Sequence, residues 1–430
     1  MSADIHIAII GAGAAGLAAA IFAAETRPDL KIVLFDSARS LGAKILVSGG
    51  GRCNVTNAVI SAKDFHAPPR IVERVLKRFT KHDTLRWFES LGVSLKQEAT
   101  GKIFPVSNKA RTVLQALLRQ CEKLGIEIRT NHCVQGIRKI QQQFQIQTNG
   151  GVFTAQRIIM ATGGKSLPKS GSNGSGWSVM QQLGHTITDC HPALVPLVLS
   201  EIFFHKNLSG ISHEAMLLTT VDGKTVDRRT GSVLWTHFGI SGPVIMDASR
   251  FWVKGHAQGR LTTQAMSFFP EQTFEDVDRW LLEMSLREPQ RSLVTLLSQR
   301  LPQRVAKTLC VYVSKKYSLP PHSHSPDVEI AALPINQLPR LSRRVLTHTL
   351  TGLHLPIERS RGWNFAEVTA GGIPLQEVNV NSMESRKISG LYVVGEILDC
   401  DGRIGGFNFQ WAWATGYIAG RNVGQGLSRR

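Results

Sequence analysis

The sequence predicts an α/β protein in which both ends of the chain build one doubly wound domain and the middle builds an inserted domain. Near the N-terminus, His6–Ile10 and Lys31–Phe35 are short β runs, and Ala14–Ala24 between them has helical composition. Near the C-terminus, a strand at Gly390–Gly395 is followed by a helix at Asn408–Asn422. Strands that alternate with helices are typical of a parallel sheet covered by helices on both faces.

The middle of the chain differs in pattern from the two ends. From about residue 195 to about 270, strand-like runs are separated by turns, and from Phe274 to Lys316 the pattern becomes helical. The stretch Pro320–Pro326 is rich in Pro, His and Ser and predicts a surface linker. The predicted domains are a first part of the terminal domain at 1–194, an inserted domain at 195–352, and a returning part at 353–430.

Composition and charge limit the classes of partner. The chain of 430 residues is 42% apolar and 19% charged, so it can bury a large core and is not a disordered polymer. Its formal net charge is +18, and residues 42–145 alone hold 18 basic and 7 acidic residues. A basic protein prefers polyanions such as nucleic acid or acidic membrane surfaces. The alternative is a solvated basic surface with no partner.

A glycine-rich turn follows the first β run and opens the first helix. Gly11 permits a tight turn, Gly13 lets the backbone approach a pyrophosphate, and Gly16 allows close packing of helix on strand. The helix presents its positive N-terminus to the phosphates. Asp36 ends the second β run, where an acidic residue can hydrogen-bond ribose hydroxyls. The sequence therefore predicts a Rossmann domain that binds a dinucleotide through Gly11, Gly13, Ala14, Ala15, Gly16 and Asp36.

Two further motifs indicate that this dinucleotide is FAD. One is a buried-type strand that ends in Ala-Thr-Gly, as in flavoproteins where such a strand backs the adenine half of the cofactor. The other is a C-terminal strand that ends in Gly-Glu and is followed by a glycine pair and a helix. An NAD domain does not need this returning element, so we expect FAD as the resident cofactor. These motifs add the predicted cofactor residues Ala161, Thr162, Gly163, Gly395, Glu396, Gly405, Gly406, Phe407 and Asn408.

The electron donor has no obvious site of its own. The usual place of a dedicated NAD(P)H domain holds no second GxGxxG motif. We therefore expect NAD(P)H to visit the flavin as a transient reductant. The choice between NADH and NADPH stays open.

A third glycine-rich segment, at residues 40–58, predicts a loop that closely approaches the cofactor. Its three consecutive glycines leave the backbone free of side chains at that point. Lys44 and Arg52 have alternative roles as contacts to a flavin phosphate, a flavin carbonyl or a substrate anion, or as members of structural salt bridges. The predicted cofactor residues of this segment are Lys44, Ser48, Gly49, Gly50, Gly51, Arg52 and Asn54.

The stretch Lys44–Asn57 resembles the signature of the YhiN-like flavoproteins, also called BaiN/RdsA-type NAD(P)/FAD-dependent oxidoreductases. The resemblance runs nearly from end to end of the chain. One departure is Ala43, where relatives often carry Arg. Further stretches that resemble the family are Ile103–Ser107, Thr236–Pro243, Thr369–Gly372 and Gly405–Trp413.

The resemblance implies a fold and a set of candidate activities. The implied fold is a glutathione-reductase-like FAD-binding Rossmann domain built from both chain ends, with an inserted β-barrel plus helical domain. The implied activity is reduction of a uridine in 23S ribosomal RNA to dihydrouridine, with NAD(P)H as the electron donor. One alternative is a flavin-dependent reductase or dehydrogenase of a small steroid-like or amino-ketone substrate. Another is a non-catalytic flavin-containing RNA-binding protein.

Cys53 is the candidate general acid of the uridine reaction. That reaction needs a hydride at C6 and a proton at C5, and a thiol beside the flavin could supply the proton. The alternative is a small residue that packs under the flavin ring.

A basic helical segment at residues 69–91 is the candidate RNA-binding element. Its apolar positions Ile71, Val75 and Phe79 fall at helical spacing, and a helix or helix pair is expected there. Basic side chains that lie off this apolar set would hold phosphates of ribosomal RNA or its assembly precursor, with salt-sensitive affinity. The predicted RNA-binding residues are Arg74, Lys77, Arg78 and Lys81.

Cysteine usage and hydropathy bear on location. The six cysteines form no CxxC pair, which disfavours both a disulfide framework and a zinc site, and no metal site is expected. This usage fits a reducing cytosol, so we expect a cytoplasmic protein. No apolar run reaches the length needed to cross a bilayer, so no membrane partner is expected. The oligomeric state stays open.

Overall fold

The computed structural model describes residues 5–316 and 330–427, and the predicted linker Pro320–Pro326 lies outside them. No helix in these ranges is long and apolar enough to cross a membrane. The helices are α1 (Ala14–Thr26), α2 (Ala43–Gly51), α3 (Pro69–Arg78), α4 (Lys81–Ser90), α5 (Ala110–Lys123), α6 (Ser175–Gln182), α7 (Pro243–Ala257), α8 (Phe274–Arg287), α9 (Leu293–Leu297), α10 (Gln303–Lys316), α11 (Arg340–Gly352) and α12 (Phe407–Val423).

The strands are mostly short, and the longer ones belong to two main sheets. In chain order they are β1 (Ile5–Ile10), β2 (Ile32–Phe35), β3 (Thr56–Asn57), β4 (Phe65–His66), β5 (Leu95–Gln97), β6 (Lys102–Pro105), β7 (Glu127–Arg129), β8 (Val134–Ile140), β9 (Gln143–Thr148), β10 (Gly151–Met160), β11 (His191–Ala193), β12 (Leu197–Leu199), β13 (Ser212–Val221), β14 (Lys224–Thr236), β15 (Gly239–Ser241), β16 (Thr262–Ser267), β17 (Leu353–His354), β18 (Ile357–Ser360), β19 (Val368–Ala370), β20 (Val378–Asn379), β21 (Glu384–Ser385), β22 (Leu391–Val393) and β23 (Asp401–Gly402).

The first compact unit comprises Met1–Pro192 and Trp363–Arg430, so it is built from both ends of the chain. Its parallel core has the strand order β22-β10-β1-β2-β7. The strands β9 and β8 extend β10 as an antiparallel meander. The α/β class and the Rossmann-type FAD-binding domain predicted from the sequence are thereby confirmed.

Helices α1 and α12 join the two ends of the chain within this unit. Gly416 and Gly420 face α1 at such short range that a Cβ at Gly420 would lie 2.6 Å from the carbonyl oxygen of Ala19. A Cβ at Gly416 would lie 2.8 Å from the carbonyl oxygen of Ala15. The small residues of both helices therefore let the two backbones pack closely, which fixes the C-terminal helix beside the first glycine-rich turn.

The second compact unit comprises Ala193–Gly362. Its antiparallel sheet has the order β17-β16-β13-β14-β15-β12-β18, and α8 to α11 supply the helical part. Residues 353–362 belong to this unit because β17 pairs with β16 and β18 pairs with β12.

Two local expectations are wrong. The region from about 195 to about 270 was expected to hold strands and turns, but α7 lies within it, beginning with a proline at its first position after Gly242. The segment 40–58 was expected to be a loop, but Ala43–Val47 is helical and the non-helical conformations begin at Ser48. The expected helix pair at 69–91 is confirmed as α3 and α4.

Candidate functional site

In the turn between β1 and α1, two glycines are in close contact with neighbouring backbone and one glycine faces open space. Gly11 has φ of +105°, and a Cβ there would lie 2.4 Å from the carbonyl oxygen of Ala161. A Cβ at Gly16 would lie 1.9 Å from the carbonyl oxygen of Gly11. A Cβ at Gly13 would meet no atom within 4 Å. Gly11 and Gly16 are therefore required by packing, whereas Gly13 leaves its backbone accessible.

Asp36 fixes this turn through its carboxylate. Its Oδ2 accepts a hydrogen bond of 2.7 Å from the backbone N–H of Ala12, in the middle of the turn. Its Oδ1 accepts one of 2.8 Å from the N–H of Ala38. Each carboxylate oxygen has further acceptor capacity, so this arrangement leaves lone pairs for the hydroxyls of a bound ribose.

The strand β10 brings its Ala-Thr-Gly end beside the same turn. The backbone N–H of Ala161 donates to the carbonyl oxygen of Ile10, and Gly163 has φ of +72°. The hydroxyl Oγ1 of Thr162 is buried and has no hydrogen-bond partner within the part of the chain that the structure describes. A buried polar group without a partner is costly in a folded protein, so this hydroxyl is a candidate contact for a bound group.

The three consecutive glycines at the C-terminal end of α2 all have left-handed backbone conformations, with φ of +56°, +68° and +82° for Gly49, Gly50 and Gly51. Side chains rarely adopt such conformations, so glycine is favoured at each position. A Cβ at Gly49 would lie 2.9 Å from the ring of Phe104, but a Cβ at Gly50 would meet no atom within 4 Å. Gly50 is thus a second place where backbone faces open space.

Ser48 and Arg52 flank these glycines and make contacts within the protein. Ser48 Oγ donates to the carbonyl oxygen of Ile45 at 2.8 Å. Arg52 forms a 2.6 Å ion pair with Glu98, and its guanidinium lies 3.9 Å from the ring centroid of Phe104. Both side chains of this ion pair are about one-third exposed. Of the alternatives for Arg52, the structural salt bridge is therefore the one present in this structure.

Cys53 lies in the core. It is wholly buried, with 0% of its surface exposed, and it has φ of +61°. Burial raises the pKa of its thiol to about 12, although a hydrogen bond with Ser48 acts in the opposite direction. A general acid must reach the atom that receives its proton. The geometry therefore favours packing over proton transfer for this residue.

Glu396 and Lys44 form an ion pair. A salt bridge was one of the alternatives for Lys44, but the sequence patterns did not indicate its partner. The Lys44 Nζ atom lies 2.5 Å from Glu396 Oε2 and 2.7 Å from Ser166 Oγ. Glu396 Oε1 accepts from Ser166 Oγ and from the backbone N–H of Thr369, each at 2.9 Å. The predicted cofactor residues Lys44 and Glu396 thus contact each other. Ser166 and Thr369 were not predicted as site residues, although Thr369 opens one of the family stretches.

The N-terminus of α12 packs against the segment that follows the three glycines. The side chain of Asn57 donates to the carbonyl oxygen of Gly405 at 2.9 Å. A Cβ at Gly406 would lie 2.6 Å from the carbonyl oxygen of Thr56 and 2.9 Å from Asn54 Oδ1. The structure therefore brings the glycine-rich segment 40–58 next to the glycine pair Gly405 and Gly406.

The two residues that follow Gly406 have structural contacts. Phe407 is buried and packs edge-to-face on Phe65, with ring centroids 6.0 Å apart. Asn408 exchanges two hydrogen bonds with the backbone of Gly402, at 2.8 and 2.9 Å. Phe407 thus packs against β4 and Asn408 binds β23. The backbone N–H groups of the first turn of α12 are therefore the donors that would bind a ligand.

The four predicted RNA-binding residues differ in accessibility. Arg74 and Lys77 are exposed on α3, and Lys77 pairs with Glu73 one turn away at 2.7 Å. Arg78 is exposed, but it donates to the carbonyl oxygen of Asn381 at 2.8 Å. The ammonium of Lys81 is partly buried and donates to the carbonyl oxygen of Ala58. Three of the four side chains therefore bind other groups of the protein, Lys77 through an ion pair and Arg78 and Lys81 through backbone carbonyls.

The described residues fit FAD. Neither α1 nor α12 has a side-chain cap or an acidic residue in its first turn, so both helix N-termini are free to bind anionic or electron-rich groups. Gly13 opens the first of these termini, and Asp36 stands at the end of the neighbouring strand. Within the described ranges, no group of three His, Cys, Asp or Glu side chains could hold a metal ion.

This fold and this site define a FAD-dependent oxidoreductase. A family model described as the HI0933-like protein Rossmann domain matches residues 5–422, and the chain belongs to this family. The resemblance found in the sequence is thereby confirmed.

Curated relatives match over nearly their whole lengths. A 3-dehydro-bile acid delta(4,6)-reductase of Clostridium scindens is 33% identical over 417 residues, which cover 97% of this chain and 98% of that protein. A ribosomal RNA dihydrouridine synthase of Escherichia coli is 29% identical over 418 residues, covering 96% and 97%. A protein of the same name in Haemophilus influenzae is 28% identical.

Among solved structures, a 3-ketosteroid-Δ4-(5α)-dehydrogenase of Rhodococcus jostii is similar with a TM-score of 0.48 and 13% identity, covering 99% of this chain and 98% of that chain. A quinol–fumarate reductase has a TM-score of 0.49 and 17% identity, covering 97% and 70%. Both TM-scores are low, so neither similarity indicates an activity.

Proposed function

We propose that this enzyme reduces a uridine of 23S ribosomal RNA to dihydrouridine in the cytoplasm, with NAD(P)H as the electron donor. The observation that carries the proposal is a basic stripe on the exposed face of α3, in the most basic part of the chain. Two curated relatives bear the name ribosomal RNA dihydrouridine synthase, which supports it. Because the chain is an oxidoreductase, the non-catalytic alternative is not carried further.

The stripe follows from helical spacing. Arg70, Arg74 and Lys77 are exposed and lie at positions i, i+4 and i+7, which share one face of a helix. The opposite face of α3 is buried through Val72 and Val75. A helix of this length is about 15 Å long, so the stripe can follow several successive phosphates of an RNA strand. Arg78 continues the stripe, but part of its donor capacity is used by a backbone carbonyl.

The chemistry common to the relatives' names is reduction of a carbon–carbon double bond. In uridine, the C5–C6 bond is conjugated to the C4 carbonyl, so hydride adds to C6 and a proton to C5. A 4,6-diene next to a 3-oxo group is polarised in the same way. Bound FAD, once reduced by NAD(P)H, would supply the hydride equivalent. One site chemistry therefore accounts for both substrate classes, and the surface around the site decides between them.

The residues of this chain hold and orient the reactants. The first turn of α1, opened by Gly13, would bind the pyrophosphate, and Asp36 would bind the adenosine ribose. Glu396 would bind the ribityl hydroxyls, and the N-terminus of α12 would favour negative charge on the flavin edge. A base in a folded RNA must be unstacked to reach this site.

Reduction of a small steroid-like molecule is the second candidate. The specific observation in its favour is the bile acid reductase, whose 33% identity exceeds the 29% of the dihydrouridine synthase of E. coli. In that case the charge of +18 would have no role in substrate binding. Charge-removal variants on α3 would then leave the activity unchanged.

The test measures dihydrouridine in purified 23S rRNA by mass spectrometry, in a strain that lacks the gene and in its parent. We expect one dihydrouridine to disappear in the deletion strain and to return with the intact gene. A variant with Arg70→Gln, Arg74→Gln and Lys77→Gln should restore it incompletely. The matched control removes three exposed charges of the second unit, Lys224→Gln, Lys254→Gln and Arg287→Gln, and should restore it fully.

Binding of the purified protein to an rRNA fragment gives the second readout. Loss of three phosphate contacts on a single-stranded segment should reduce the slope of log K against log salt by about 2. Unchanged dihydrouridine in the deletion strain, or equal restoration by both triple variants, contradicts the proposal.

A further inference from the structure

The ion pair between Lys44 and Glu396 joins distant parts of the first unit. The two residues lie 352 positions apart in the chain, on α2 and directly after β22. Both side chains are about one-quarter exposed, with values of 27% and 21%. The pair is therefore neither a solvated surface contact nor a fully buried one.

The Glu396 carboxylate is held at both oxygens. The Lys44 ammonium binds Oε2, whereas the Ser166 hydroxyl and the Thr369 N–H bind Oε1. The Ser166 hydroxyl also contacts the Lys44 ammonium at 2.7 Å. Rotation of the carboxylate would break several of these bonds at once, so Glu396 has one fixed orientation.

The space around the carboxylate is tight. A Cβ added to Gly164 would lie 2.3 Å from Thr369 Oγ1 and 2.8 Å from Glu396 Oε1. Thr369 Oγ1 is itself fixed, because it accepts a 2.8 Å hydrogen bond from the N–H of Lys165. The hydrogen-bonded network thus includes backbone groups of several chain segments. Among the residues named here as its members, Lys44 is the one that carries a positive charge.

We propose that Lys44 is a positioning residue that orients Glu396 toward the ribityl chain of FAD, rather than a direct ligand of a cofactor phosphate. Two of the three donors of its ammonium are used by Glu396 and Ser166. Without Lys44, the partly buried carboxylate loses its counter-charge and one of its three hydrogen-bond donors. The inference concerns cofactor binding alone, so it stands or falls independently of the RNA substrate.

The test is a double-mutant cycle on FAD affinity. Apoprotein of the wild type, Lys44→Met, Glu396→Gln and the double variant is titrated with FAD, and the dissociation constant is taken from flavin fluorescence. We expect each single substitution to weaken binding about tenfold, and the double variant to bind no more weakly than Glu396→Gln alone. A positioning residue acts only through its partner, so its effect vanishes once the partner is changed.

Controls separate this role from a general loss of charge or of fold. Lys63→Met removes an exposed lysine and should leave FAD affinity unchanged. Lys44→Arg keeps the charge and should bind FAD more tightly than Lys44→Met. If Lys44→Met does not accumulate as a folded apoprotein, Lys44→Gln takes its place in the cycle. Additive losses, with the double variant about a hundredfold weaker than the wild type, would overturn the proposal and make Lys44 a direct ligand.

Discussion

Two carboxylates follow the carboxyl ends of strands in the same parallel sheet, and they are held in different ways. The carboxylate of Asp36 accepts hydrogen bonds from two backbone N–H groups of nearby turns, those of Ala12 and Ala38. Glu396 is held by an ammonium, a hydroxyl and an N–H from three other segments of the chain. The first site is set by local structure around the turn, and the second exists only after the two ends of the chain have assembled.

The glycine turn beside Asp36 should give the largest effect. A Cβ at Gly16 would lie 1.9 Å from a backbone oxygen, whereas one at Gly13 meets nothing. We expect Gly16→Ala to destabilise the apoprotein by more than about 3 kcal/mol, because overpacking against backbone cannot relax easily. Gly13→Ala should keep the apoprotein stability but weaken FAD binding. Urea unfolding and FAD titration check both, and equal stability of the two variants would contradict the assignment.

Removal of the Asp36 side chain should give the next largest effect. Asp36→Ala deletes two hydrogen bonds to a charged acceptor, each worth about 1.5–3 kcal/mol. We expect a loss of about 3 kcal/mol in the free energy of unfolding, at the lower end of that sum because both bonds are only partly buried, and a protein that is purified without FAD. Asp29→Ala is the control, because Asp29 is a partly exposed carboxylate that pairs with Arg27, two residues away in the chain. Wild-type FAD affinity in Asp36→Ala would contradict the role of Asp36 in cofactor binding.

A third carboxylate, Glu377, resembles Glu396 in being held by distant partners. Its oxygens accept from His185 and Lys387, at 2.7 and 2.6 Å. Burial acts to raise the pKa of Glu377, but these bonds and those from Thr186 outweigh it and lower the pKa to about 2. Burial also lowers the pKa of His185 below its usual 6.5, against the opposing effect of Glu377.

Both pKa shifts make the free energy of unfolding decrease as the pH is lowered. The unfolded chain protonates His185 below pH 6.5 and Glu377 below pH 4.5, whereas both groups in the folded chain stay unprotonated to lower pH. The contribution of His185 to stability therefore begins to be lost as the pH falls below about 6.5, and that of Glu377 is lost as the pH falls from about 4.5 to about 2. We expect Glu377→Gln to flatten the acid part of the profile and to cost about 1–2 kcal/mol at neutral pH. Unfolding midpoints across this range check it, and a profile unchanged by the substitution contradicts it.

Cys53 should give the smallest effect. Its thiol is buried among core side chains, so Cys53→Ala should cost about 1 kcal/mol of stability through a small cavity. The rate of substrate reduction should stay within about twofold of wild type, because no proton passes through a group that cannot reach the substrate. A rate loss of a hundredfold or more in a folded Cys53→Ala protein would restore the general-acid hypothesis.

The same contrast explains how far the sequence could predict the site. The turn at Gly11–Gly16 and its partner Asp36 follow from a short local pattern, so fold class and cofactor were predictable. The pairing of Lys44 with Glu396 was not predictable, because these two residues are 352 positions apart in the chain and meet only in the folded structure. The helix α7 was missed because its apolar residues, such as Val244 and Ile245, stand in a stretch of strand-like runs. Cys53 was predicted to lie beside the flavin because it follows three glycines in the sequence. Whether its thiol is buried or accessible depends on three-dimensional packing, which the sequence does not show.

In the proposed reaction, the reduced flavin of this protein is oxidised by a uridine of ribosomal RNA. The direct measurement mixes anaerobically reduced holoenzyme with a 23S rRNA transcript, and separately with a 3-oxo-4,6-diene bile acid, while flavin absorbance is followed. We expect rapid flavin reoxidation by the RNA, with dihydrouridine formed in equal amount and little reaction with the steroid. Rapid reoxidation by the steroid and none by the RNA would contradict the claim and identify a small-molecule reductase.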